Sequence, residues 1–195
     1  KTVKAHCMGE VKMVRYADDI VICCQYNQDA ERIKVAMAKR LAKYGLSMNE
    51  DKTSLVKFSK RQQRQGIKQG TFDFLGFTFY FGKSRKGYFL VKLKTCGKRF
   101  RSKLKKVNEW ARSIRNRTSL KHIMKIAAAK VRGHVQYYGV SFNLEVVETF
   151  VDKVTQIIFK WLNRRSQRKS FNWEQFCQYL NRVNFPKAKI CHKLF

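Results

Sequence analysis

The chain has 195 residues, 44% hydrophobic and 13% aromatic, with 15 Phe and one Pro; that composition excludes a disordered basic tail. Lys and Arg total 43 against 13 Asp and Glu, a formal net charge of +30, and a folded domain carrying such self-repulsion is built to meet a polyanion. No apolar run approaches the roughly 20 residues of a membrane span, and the basic residues are spread along the chain, so nucleic acid is expected as the partner and a membrane is not.

The chain begins at Lys1 without a secretory signal, which suggests a fragment or a processed chain. Val11 to Tyr16 and Ile20 to Cys24 read as two strands joined by a tight hairpin at Ala17-Asp18-Asp19. Asp29 to Tyr44 reads as a helix, with Ile33, Met37, Leu41 and Tyr44 on one face and Gly45 as its stop. Leu46 to Met48 and Ser54 to Phe58 resemble short strands around a polar turn, and Ser59 to Gly70 a basic loop. Phe72 to Phe81 is strongly β and pairs with Tyr88 to Leu93.

Near Lys94 the character changes. Phe100, Leu104, Val107, Ala111 and Ile114 form one helical stripe. Ile123, Ala127, Val131, His134 or Val135, and Tyr138 form a second. Val147, Phe150, Val154, Ile157 or Ile158, and Trp161 form a third, and Trp173 to Leu180 reads as a shorter helix. The expected fold is α+β, with a β-rich part over residues 1–95 and an all-α part of three to four helices over 96–195. From Lys83 to Leu144 there are eighteen Lys or Arg against one acid, Glu109.

The six cysteines form no C-x-x-C pair, which points to unpaired thiols in a reducing compartment, the bacterial cytoplasm or an organelle. Neither His6-Cys7 nor Cys191-His192 has the spacing of a zinc module, so no zinc is expected.

Asp18 and Asp19 are the residues that suggest chemistry. A hairpin Asp-Asp is ordinarily a solvated turn. Adjacent carboxylates repel unless a cation neutralises them, however, and on a stiff hairpin they suit Mg²⁺, which accepts one or two carboxylates together with water and substrate phosphates. Nucleotidyl transfer uses two such ions roughly 3.5–4 Å apart and ordinarily a third carboxylate. Only Glu10 is acidic upstream; Asp29, Glu31, Glu50 and Asp51 read as helix-start or turn charges.

Arg15-Tyr16-Ala17-Asp18-Asp19 resembles the Y-x-D-D motif of reverse transcriptases in its group II intron form. Gly45-Leu46-Ser47-Met48-Asn49-Glu50-Asp51-Lys52-Thr53 is similar to the family's G-L-x-x-N-x-x-K-T segment. Phe72-Asp73-Phe74-Leu75-Gly76-Phe77 resembles its F-x-F-L-G-F primer grip. The following helices, with Trp161, Trp173, Phe176 and the stretch from Pro186 to Leu194, resemble the thumb or maturase (X) domain. The resemblance implies the C-terminal half of a palm, made of antiparallel hairpins and one helix, followed by that thumb. It implies catalytic and Mg²⁺-binding roles for Asp18 and Asp19. Tyr16, Ala17 and Lys52 would lie at the nucleotide, and Phe74, Leu75, Gly76 and Phe77 at the primer. Asn49 is expected to tie down its turn.

The family's fingers and its first catalytic Asp lie on earlier elements, so this chain alone is expected not to polymerise. Implied partners are structured intron RNA, an RNA template with a DNA primer, and dNTP. Lys98, Arg99, Arg101, Lys103, Lys105, Lys106, Arg112, Arg115 and Arg117 form one candidate RNA-contact cluster. Arg164, Arg165, Arg168 and Lys169 form another. Core packing is expected for most of Trp110, Tyr137, Tyr138 and Phe142, with base stacking the alternative. The rival reading is a non-catalytic RNA-binding maturase; a further one is a retron or CRISPR-associated relative. Whether the chain forms a homodimer is left open.

Overall fold

The computed structural model describes residues 6–84, 86–167 and 171–194. They form a mixed α+β protein with two small antiparallel sheets and six α-helices. Two compact units divide the chain: Lys1–Leu75 with Phe79–Val91, and Gly76–Thr78 with Lys92–Phe195. No helix among the described residues is long and apolar enough to cross a membrane.

The first unit opens with strands β1 (Val11–Tyr16) and β2 (Asp19–Cys24), antiparallel in a register that sets Tyr16 opposite Asp19 and Val11 opposite Cys24. Helix α1 (Asn27–Ala42) follows and packs on β2. Its end is a left-handed Gly45, with the Leu46 N–H returning to Leu41 O at 3.0 Å; glycine adopts this conformation without a Cβ penalty. Asp29 is fully buried in the first turn of α1. Its two carboxylate oxygens accept from Met8 N at 3.1 Å and Gly9 N at 3.0 Å. It is therefore an anchor for the segment entering β1, and the simple helix-start role expected for it is incomplete.

Leu46 to Met48 and Ser54 to Phe58 are not strands. Residues Glu50–Lys52 form one 3-10 turn capped by Asn49, whose Oδ1 accepts from Lys52 N at 3.2 Å. Phe58 then leaves the local pattern to serve the next sheet. It stacks on Phe81 at 5.6 Å and lies 6.2 Å from Phe72, and a five-residue helix α2 (Lys60–Arg64), capped by Ser59, replaces the expected loop. Burial of a ring against a distant sheet outweighs the weak strand propensity of a short apolar run.

The second sheet has the order β3 (Thr71–Phe74), β4 (Phe77–Lys83), β5 (Phe89–Thr95). Leu75 and Gly76 join β3 to β4 with φ of 50° and 79°, the two positive values of a type I′ hairpin. That turn places Phe72 against Phe79, stacked at 5.0 Å, and Phe81 against Phe89 at 5.9 Å.

The second unit is a bundle of α3 (Gly97–Ile114), α4 (Leu120–Tyr138) and α5 (Leu144–Leu162), with α6 (Trp173–Arg182) beside it. The expected stripes face inward: Val107 and Ala111, then Ile123, Ala127, Val131 and Val135, then Val147, Phe150, Val154 and Ile158 are all buried. Helices α3 and α5 run parallel, because Phe100 meets Phe150 at 5.9 Å while Asn108 accepts from Trp161 Nε1 at 2.8 Å. Helix α4 is antiparallel to both, its C-terminal His134 lying on Phe150 near the start of α5. Asn172 caps α6 with a reciprocal box to Gln175, the arrangement that meets two orphan N–H groups at once.

Buried Asn143 ties three segments of this unit together. Its Oδ1 accepts from Thr95 N at 2.8 Å, and its Nδ2 donates to Thr95 Oγ1 at 2.9 Å and Tyr138 O at 2.8 Å. The C-terminal stretch is fastened at the same end. His192 N donates to Gly139 O at 3.0 Å, and His192 Nε2 donates to Gln136 O at 2.9 Å.

Candidate active site and nucleic-acid surface

Ala17 and Asp18 make the two-residue loop between β1 and β2. Ala17 holds φ 50°, a left-handed conformation that costs an L-residue roughly 1–2 kcal/mol. Arg15 steadies it, donating from Nε to Ala17 O at 2.9 Å; this positioning role was not foreseen from the sequence. Asp18 and Asp19 are exposed, and neither carboxylate has a hydrogen-bond or ion-pair partner among the described residues. In a chain of net charge +30, two adjacent unpaired carboxylates are residues that could hold a cation.

No third His, Cys, Asp or Glu joins them among the described residues. The oxygen donors present fit a Mg²⁺ ion that takes its remaining ligands from water and phosphate. Tyr16, 64% exposed, stands beside the loop on β1. Lys52 is exposed in its capped turn, and no ion pair joins it to Asp18 or Asp19. The Phe74 to Phe77 segment is the type I′ turn itself. Phe74 and Leu75 belong to the first unit, Gly76 and Phe77 to the second. Gly76 is required twice over: its φ is positive, and a Cβ there would lie 2.8 Å from the Tyr138 hydroxyl. Phe77 stacks on Tyr137 at 5.7 Å, and Tyr137 remains 49% exposed.

Within the second unit lies a cluster that helical periodicity could place but not characterise. His134 is buried between Phe150, at 3.5 Å, and Tyr138, at 4.6 Å. Neither of its ring nitrogens has a hydrogen-bond partner among the described residues. Burial first, and the Lys103 charge second, push its pKa down to about 3. The Lys103 ammonium lies 4.5 Å over the Tyr138 ring. Its pKa is lowered by burial and by Arg99, and that of Tyr138 is raised chiefly by burial.

Of the basic residues singled out on α3 and its end, Lys98, Arg99, Arg101, Lys105, Lys106, Arg112 and Arg117 are exposed, and Lys103 and Arg115 half-buried. Lys105 lies 4.0 Å from Glu109. Arg164 is exposed, and Arg165 donates to Thr118 O at 3.0 Å. Arg168 and Lys169 lie outside the described residues. Tyr138 is core and Trp110 half-buried, while Phe142 keeps an exposed edge with the Lys92 ammonium 5.4 Å over its ring.

Residues 1–79, which include the hairpin with Asp18 and Asp19, match the model of the reverse transcriptase (RNA-dependent DNA polymerase) family. Over 79 of its 195 residues the chain is thus similar to reverse transcriptases, RNA-dependent DNA polymerases. No curated protein matches the sequence.

Proposed function

We propose that the chain is the C-terminal part of a group II intron-type reverse transcriptase, acting in Mg²⁺-dependent DNA synthesis and in binding intron RNA for splicing. One observation carries this reading: Asp18 and Asp19 stand exposed and unpaired at a strained hairpin loop inside the segment that matches the reverse transcriptase family. Mg²⁺ bound there would supply charge neutralisation for the attacking and leaving oxygens of an in-line displacement. Asp18 and Asp19 hold the cation, Arg15 keeps the loop in register, and Tyr16 lines the floor under the primer end and incoming dNTP. Lys52 faces the triphosphate, and the Leu75-Gly76 turn steadies the primer strand.

The third carboxylate belongs, in this reading, to another palm strand. Met13 at 63% and Val14 at 56% exposure leave the β1–β2 sheet with uncovered apolar surface, and a two-stranded sheet is marginal by itself. The second reading, an RNA-binding maturase without catalysis, is favoured by the absence of a third ligand among the described residues. Primer extension on an RNA template, by the longest natural polypeptide carrying this sequence, separates them. Asp18→Asn is expected to abolish extension and to leave RNA binding within about twofold, since it touches no phosphate-contact residue. Extension that survives the substitution refutes the catalytic assignment.

A further inference from the structure

Four cations surround one indole in the second unit. Arg115 lies 5.0 Å from the Trp161 ring centroid, Lys160 5.3 Å, Arg164 5.5 Å and Arg112 6.0 Å. No carboxylate pairs with any of the four among the described residues. The ring itself is only 9% exposed, and its Nε1–H is committed to Asn108. Arg115 Nε and Thr118 Oγ1 are buried without a hydrogen-bond partner among the described residues.

Part of this charge has a local explanation. Because α3 and α5 run parallel, both helix C-termini lie at this end, and Arg112 and Lys160 sit in the last turns. Each C-terminus is equivalent to roughly half a negative charge. Two such ends offset about one of the four cations, leaving a surplus of about three. Cation–π attraction to a single ring contributes on the order of 1 kcal/mol per contact and does not remove the mutual repulsion. The surplus is the signature of an anion site.

We infer that the Trp161 cluster is a docking site for backbone phosphates of paired RNA, read without regard to base sequence. Phosphates rather than bases are the target because the indole is buried: its faces are held by cations, and no ring is left there for a base to stack on. The planar guanidinium groups of Arg112 and Arg164, both exposed, are suited to bidentate phosphate contact. The inference rests on the RNA-binding reading of this unit and assigns it a specific site.

The test is binding of a fluorescent RNA hairpin of about twelve base pairs to the full chain, by anisotropy across a salt series. Counterion release of about 0.9 per phosphate makes two lost contacts worth roughly thirtyfold in affinity near 0.15 M salt. The double variant Arg112→Gln, Arg164→Gln is expected to show that loss, with a salt slope shallower by about 1.8. The matched control is Lys187→Gln, Lys189→Gln. Those lysines are exposed on the tail that bonds to Gly139, at the opposite end of the bundle, and their loss is expected to change affinity severalfold less. A scrambled hairpin of equal length is expected to give the same difference. Should the double variant melt early, Lys160→Gln with Arg164→Gln, both exposed, the first in the last turn of α5 and the second just past its end, replaces it. Equal losses in cluster and control variants, or a loss that depends on base sequence, overturn the proposal. A wild-type chain that fails to bind the hairpin refutes the RNA-binding reading beneath it.

Discussion

Acidification should destabilise the helical unit through His134, whose neutral ring is packed on Phe150 with Lys103 from α3 and Tyr138 from its own helix as the polar groups facing it. The folded pKa, about 3, lies below the ordinary value of 6.5. The unfolded chain therefore takes up the proton first as pH falls. Stability from this group is fully present above pH 6.5 and is lost progressively towards pH 3. The gap corresponds to about 5 kcal/mol in full, of which about 2 kcal/mol is lost by pH 5. His134→Leu keeps comparable volume, removes two unsatisfied nitrogens and removes the titration. Urea melts of both proteins at pH 8, 7, 6 and 5 are expected to converge at pH 8, or to favour the variant by about 1 kcal/mol. At pH 5 they should diverge, the variant being more stable by a further 2 kcal/mol or so. A directly observed His134 ring resonance should hold its neutral position down to pH 5. Parallel melts at every pH, or a His134 titration midpoint near 6.5, would refute the reasoning.

Two other substitutions probe the same unit. Asn143→Ala leaves Thr95 N buried without its partner and removes one of the two hydrogen bonds to Tyr138 O, which keeps the Val140 N–H, and a loss of about 1–3 kcal/mol in chemical denaturation is expected; a loss below 1 kcal/mol would mean that water replaces the amide. Gly76→Ala strains a positive φ and drives a methyl against the Tyr138 hydroxyl, for an expected loss of about 2 kcal/mol or more. Adding Tyr138→Phe should recover part of that loss, and strict additivity of the two substitutions would show that the contact does not matter.

Much of the molecule was legible because it is encoded locally. The Tyr16-to-Asp19 hairpin, α1 with its Gly45 stop, and the three inward stripes of the bundle follow from periodicity and turn chemistry within a few residues. The candidate carboxylates were legible for the same reason, since Asp18 and Asp19 are neighbours in the chain. Ser54 to Phe58 was misread because Phe58 is held by Phe72 and Phe81, contacts that a short window cannot contain.

Sequence alone thus determined the α+β class, the large excess of positive charge and the paired carboxylates. Tertiary structure decided how the polar groups between the elements are met. It buried Asp29 as an anchor and satisfied Asn143 across 48 residues. It left His134 without a partner and brought Arg112, Arg115, Lys160 and Arg164 around one ring. The reason is physical: propensity and periodicity act over one or two turns, whereas desolvation, hydrogen-bond satisfaction and like-charge proximity depend on which distant segments the core brings together.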